Sequence, residues 1–167
     1  MTVLFTPSAE QKAQSQMGVF ADQLKRKYPI EFNDYQALQQ WSVQNLTTFW
    51  RELWDFAGVQ GTPGDTVLNQ SNMPGARWFP EARLNFSTNL LHAGRDADIA
   101  LIAVSETRTE HRYSYSELRQ AVSRLAGFLQ HECGVEPGDR VAAYLGNTPE
   151  AIIGMLATSR LGAIWTS

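Results

Sequence analysis

Histidine, cysteine and lysine are the side chains through which a chain of this size would do nucleophilic, metal or phosphate chemistry. Here they are few: three histidines, one cysteine and three lysines. His131 and Cys133 flank Glu132 at a predicted helix end. A two-residue spacing on a helix sends the two side chains to different faces, and no second pair exists to complete a tetrahedral metal site. His131 reads instead as a cation favoured at a helix C-terminus. His92 falls in another predicted last turn and His111 in a predicted strand, neither with a nucleophile beside it. There is no G-x-S-x-G elbow, no G-x-x-x-x-G-K-[ST] loop and no G-x-G-x-x-G fingerprint. The turn Gly146-Asn147-Thr148-Pro149 comes nearest to a phosphate loop, but one glycine and a proline make it a helix cap, and Glu150 opposes an anion there. Because Lys12, Lys25 and Lys27 are the only lysines, lysine-dependent phosphate chemistry has no place after position 27.

Apolar spacing defines the elements that would position any site. Ala13, Met17, Phe20 and Leu24 recur at helical steps and predict one helix over about residues 6–27, with Thr6 as cap and Pro7 in the first turn. A second helix is expected over 34–43, capped by Asn33. A third is expected over 46–57 between Asn45 and Gly58, its apolar face made of Leu46, Phe49, Trp50, Leu53 and Ala57. Residues 59–76, rich in glycine and proline, read as a loop, and residues 83–91 as a short helix. The pattern then changes near Asp96. Ile99 to Val104 and His111 to Tyr113 read as a hairpin, and Ser114 with Glu117 as the capping box of a helix reaching Glu132. Val141 to Leu145, Ala151 to Leu161 (capped by Asn147) and Ala163 to Ser167 then read as strand, helix and strand, a parallel βαβ unit. The fold class is α/β: a helical, tryptophan-rich region over 1–95, then hairpin, helix and βαβ unit over 96–167. The sequence stops on the second strand of its only crossover, so this domain is expected to be incomplete. Residues among Val141, Tyr144, Ile152, Ile164 and Trp165 are then expected to be wet, with self-association through an open sheet edge.

At 167 residues the chain suits one domain, or one with part of another. A net charge of −3 gives no basic footprint for nucleic acid. A single cysteine excludes a disulfide framework, the first residues lack a secretory pattern, and no apolar run is long enough to span a bilayer. A soluble cytoplasmic protein with neither membrane nor nucleic-acid partners is expected. Four of the five tryptophans, Trp41, Trp50, Trp54 and Trp78, lie between positions 41 and 78, and their helical spacing suits a packed docking face better than a ligand box. Asn85 and Asn89, one turn apart, suit caps and braces.

Taken together, Trp41, then Phe49-Trp50 with Trp54, then Arg77-Trp78-Phe79-Pro80 followed by Asn85 and Asn89, resemble the N-terminal region of acyl-CoA synthetases of the acetyl-CoA synthetase type. Tyr115-Ser116-Glu117-Leu118, Gly138-Asp139-Arg140-Val141 and Leu161-Gly162-Ala163 resemble the opening of the adenylate-forming domain of that superfamily. Leu90-Leu91-His92 after the second asparagine, and Ile164-Trp165-Thr166-Ser167 at the end, are similar to the acetoacetyl-CoA synthetase branch.

The resemblance implies a ligase that forms acetoacetyl-adenylate from acetoacetate and ATP with Mg2+, then passes the acyl group to CoA. It also implies that the phosphate loop and the catalytic lysine lie beyond Ser167. No catalytic or metal-binding residue is therefore expected in these residues, and Thr166 and Ser167 would at most border the CoA site. The alternatives are a non-catalytic docking or oligomerisation module, a small-ligand βαβ protein of unrelated chemistry, or part of an acetyl- or propionyl-CoA synthetase.

Overall fold

The computed structural model describes residues 4–106 and 109–167. Residues 1–3, at the start read for a leader, and residues 107–108, in the predicted hairpin turn, lie outside the described residues. The chain divides into two compact units, Met1–Val59 with Pro63–Ala82, and Gln60–Thr62 with Arg83–Ser167.

The first unit is helical. Where the spacing predicts one helix over 6–27 there are two, α1 (Ala9–Gln14) and α2 (Gln16–Lys27). Ser15 makes the break: its backbone is extended, its Oγ donates to the Lys12 carbonyl at 2.7 Å, and the same oxygen accepts from the Gly18 N–H at 3.0 Å. Gly18 is required by this bend, because a Cβ there would stand 2.2 Å from the Lys12 carbonyl oxygen. Ser8, not Thr6, caps α1, in a reciprocal box with Gln11. Asp34, not Asn33, caps α3 (Tyr35–Gln44) by accepting from the Ala37 N–H at 2.8 Å. Helix α4 (Leu46–Phe56) follows Asn45, whose amide turns back to the Trp41 carbonyl, so α4 has no side-chain cap. Phe20, Leu24 and Leu38 are buried, with Trp41, Phe49, Leu53 and Phe56 packed around them.

In the second unit, β1 (Gly61–Thr62) pairs antiparallel with β2 (Arg83–Leu84). That pairing takes the first residues of the helix expected over 83–91, and α5 (Phe86–His92) begins only after Asn85. The strands β3 (Ile99–Ala103) and β4 (His111–Ser114) form the expected antiparallel hairpin. Ser114 and Glu117 form the expected capping box of α6 (Tyr115–His131). Then β5 (Arg140–Ala142), α7 (Pro149–Arg160) and β6 (Ile164–Thr166) make a βαβ unit whose two strands are parallel, with Val141 opposite Trp165. Thr148, not Asn147, stands at the N-cap of α7, and its side chain makes no capping bond. The core is Leu91, Leu118, Val122, Ala126, Leu156 and Ala157, contributed by α5, α6 and α7.

The expectation of wet strand residues divides. Tyr144 and Ile164 are exposed, whereas Val141, Ile152 and Trp165 are partly buried. The Trp165 ring lies over Gly154 of α7, where a Cβ would come within 2.6 Å of it, so the missing side chain makes the seat that shields the indole.

Candidate functional site

The sequence-selected aromatic residues of the first unit fall in three groups of touching rings. Phe49 meets Phe20 edge-on at 5.8 Å and Trp50 at 5.5 Å; Trp50 meets Trp78 at 5.3 Å, and Trp54 meets Phe79 at 4.9 Å. Trp41 packs between Tyr28 and Phe32 at 6.0 and 5.8 Å. Phe79 holds a φ of 43°, unusual for a bulky residue. Its N–H bonds to the Val67 carbonyl at 2.8 Å, and the bridge between Leu68 and Trp78 continues that pairing. Arg77 is exposed and takes part in the same turn through its backbone. The arrangement joins α4 to the 67–79 loop by ring packing, as a docking face would.

Glu52 gives no signal in the sequence, since it sits as one acid in the aromatic helix α4, yet it is 6% exposed. It accepts from Lys27 Nζ at 2.6 Å and Tyr28 Oη at 2.9 Å, fastening the end of α2 to α4. Burial pushes the Glu52 carboxyl up, but those two donors outweigh it and hold the group below its ordinary value of 4.5. Lys27 is raised above 10.5, chiefly by the same hydrogen bond. Because the folded carboxyl titrates below its unfolded value, its contribution to stability is complete above about pH 4.5 and is lost as the pH falls through the folded value. The lysine contribution is complete below 10.5 and is lost as the pH rises through its folded value. Denaturant titrations from pH 3 to 7 are expected to show stability falling at the acid end, with a shallower fall in Glu52→Gln. Identical acid limbs would remove Glu52 from that role.

In the second unit Asn85 Oδ1 caps α5 at the Thr88 N–H (3.0 Å), while its amide donates to the Ser159 carbonyl of α7 (2.9 Å). Asn89 exchanges two hydrogen bonds with the backbone of Gln60, at 2.8 and 3.0 Å. Asn85 caps α5, and both asparagines brace. Arg119 of α6 donates to the Leu91 and Gly94 carbonyls and pairs with Asp96, closing the end of α5. Gly94 is needed there, as a Cβ would stand 2.1 Å from the Tyr115 ring. Thr166 and Ser167 are exposed at the end of β6, where the Thr166 carbonyl accepts from the Ala143 N–H at 3.0 Å. His131 lies in the last turn of α6, Cys133 is exposed, and His111 packs edge-on against Tyr113 at 4.3 Å. Among the described residues no cluster of three or more His, Cys, Asp or Glu is placed to hold a metal, and no helix is long and apolar enough to cross a membrane. An opening of about 700 Å³ is lined by β3 and the start of α7.

Two family models match the chain, acetyl-coenzyme A synthetase N-terminus over residues 35–90 and AMP-binding enzyme over residues 92–166. An acetoacetyl-coenzyme A synthetase of Rhizobium meliloti is 42% identical over 165 residues, 98% of this chain and 25% of that protein. The acetoacetyl-CoA synthetase of Xenopus tropicalis is 34% identical, over 95% of this chain and 24% of that protein. The solved acetoacetyl-CoA synthetase from Streptomyces lividans superposes with a TM-score of 0.86 at 38% identity, over 97% of this chain and 26% of that one. The chain is homologous to the acetoacetyl-CoA synthetases. It spans about a quarter of the length of these relatives. A malonamoyl-CoA synthetase of Penicillium aethiopicum is also similar, 36% identical over 92% of this chain and 22% of that protein. The homology explains why the spacing of aromatics and asparagines is so specific while each residue, taken alone, only packs or caps.

Proposed function

We propose that these residues are the N-terminal part of a ligase that activates acetoacetate with ATP and transfers the acyl group to CoA. The observation that carries it is homology to acetoacetyl-CoA synthetases over 98% of the chain. In this reading residues 1–95 are the acetyl-CoA-synthetase-type helical region, and 96–167 begin the AMP-dependent ligase domain. ATP, Mg2+ and CoA serve the longer protein, in the cytoplasm. Thr166 and Ser167 border the CoA site, a placement supported by their exposure at the end of β6. Any association between copies of the 167-residue chain is a by-product of open strands such as the one carrying Ile164, not its function.

The malonamoyl-CoA relative sharpens the substrate class. Acetoacetate and malonamate both carry a carbonyl one methylene away from the carboxylate, so the reading favours short 3-carbonyl acids over acetate or propionate. A chain extended with the remaining three quarters of the Rhizobium meliloti relative provides the test. CoA-dependent AMP formation is expected to be greatest with acetoacetate, lower with malonamate and lowest with acetate. Equal or better activity with acetate would transfer the assignment to the acetyl-CoA synthetases.

A further inference from the structure

We propose that the opening between α5, α6 and the end of α7 is a binding site for a small organic monocarboxylate, with Arg160 as its cation. All of its lining belongs to the second unit. At about 410 Å³ it has the size of a small-molecule site. The proposal is of binding alone and does not rest on the proposed function.

Two observations carry it. The first is a hydroxyl with nothing to bond: Ser87 lines the opening, is fully buried, and its Oγ has no hydrogen-bond partner among the described residues. Buried polar groups are nearly always paired, and a ligand oxygen in the opening would complete this one. The second is the balance of charge. Two guanidinium groups line the opening, and Arg119 is already matched: it donates to the Leu91 and Gly94 carbonyls and pairs with Asp96, the one acid in the lining. Arg160 instead donates from Nη1 to the neutral Ser123 hydroxyl at 3.1 Å, which steadies the guanidinium and leaves its Nε–Nη2 edge turned to no acid of the lining. That edge is the fork that meets a carboxylate through two parallel N–H bonds. One unmatched cation suits a monoanion, whereas a doubly charged phosphate would bring a second charge that Asp96 repels. Leu91, also in the lining, offers the ligand's carbon chain an apolar wall.

Butyrate is the probe, titrated at constant ionic strength into the isotope-labelled 167-residue chain and followed by amide chemical shifts. Shifts are expected at Ser87, His92 and Gly94, saturating as one site, with the amides of the helical unit unmoved. Arg160→Gln should weaken binding about tenfold, and Arg160→Lys nearly as much, because lysine keeps the charge and loses the fork. Arg160 is exposed, so both variants should keep the fold, which an unchanged spectrum away from the opening verifies. Ser87→Ala should weaken binding severalfold without lowering the unfolding midpoint, since it removes a hydroxyl that makes no bond in the free chain. A serine with a structural role alone would show the opposite pattern. Arg112→Gln, outside the opening, should change nothing. The proposal would be overturned by the lack of a saturable shift, by binding undiminished in the Arg160 variants or in Ser87→Ala, or by inorganic phosphate binding more tightly than butyrate.

Discussion

Supplied with ATP, magnesium ions, acetoacetate and labelled pyrophosphate, the 167-residue chain is expected to exchange no label into ATP above a heat-killed control, and the extended chain to exchange it readily. Adenylate formation gathers negative charge on phosphate oxygens, and the rate depends on donors fixed where that charge develops. Several of the cationic side chains among the described residues are engaged elsewhere. Lys27 is bound to Glu52, Arg51 to the Gly64 carbonyl, Arg95 to Asp98, Arg112 to Glu110, Arg119 to Asp96 and two carbonyls, and Arg160 to Ser123. Lys12 and Lys25, the other two lysines, belong to α1 and α2 of the helical unit. Removing one preorganised donor typically costs about a hundred- to a thousandfold in rate, so a chain that spans a quarter of its relatives' length, with these donors already engaged, should fall below detection. Acetoacetate-dependent exchange by the 167 residues alone would show that they carry a phosphate site of their own.

Local rules made α6 legible to within a residue, because Ser114 and Glu117 satisfy each other's backbone in a capping box that the sequence shows directly. The same rules misread the first helix. Ser15 is an ordinary helix-interior residue by its neighbours, and only its double use, as donor to Lys12 and acceptor from Gly18, turns one helix into two. The helix expected from Arg83 was shortened by a non-local event, the pairing of Arg83 and Leu84 with a strand some twenty residues earlier, which local spacing does not encode. Caps moved by one residue at Asp34, where neighbouring Asn and Asp offer equivalent chemistry, and at Thr148, which makes no side-chain capping bond.

The candidate site was legible in a different sense. The resemblance was carried by spacing: Trp50, Trp54, Trp78 and Phe79 occur where ring-to-ring packing of α4 on the following loop demands them, and Asn85 and Asn89 where one helix must be tied to two backbones. Glu52 was invisible because burial is a property of the assembled helices. A lone acid between Arg51 and Leu53 looks like a solvated face until Lys27 and Tyr28, more than twenty residues away in sequence, are brought to it.

Phe20→Ala is expected to produce the largest loss of stability of any single change in the helical unit. Phe20 is 5% exposed, meets Phe56 at 4.9 Å and Phe49 edge-on at 5.8 Å, and lies with Leu24 and Leu38 at the centre of that unit's core. Truncating a buried phenylalanine costs about 3–5 kcal/mol, the sum of lost transfer energy and of the cavity left behind. The net stability of a domain is about 5–15 kcal/mol, so the change removes a large share of it. Rigid ring packing makes the cavity term matter here: Phe49 and Phe56 belong to α4, which Glu52 already fastens to α2, and helices held in that way collapse poorly into a gap. Phe20→Leu refills most of the volume and should cost no more than about half as much. Phe5→Ala, at a 73% exposed position, should fall within about 0.5 kcal/mol of the parent chain. Guanidinium titrations of the three variants give the ranking through their midpoints. A Phe20→Ala midpoint no lower than that of Phe5→Ala would mean that the aromatic core of α2 and α4 does not hold this unit together.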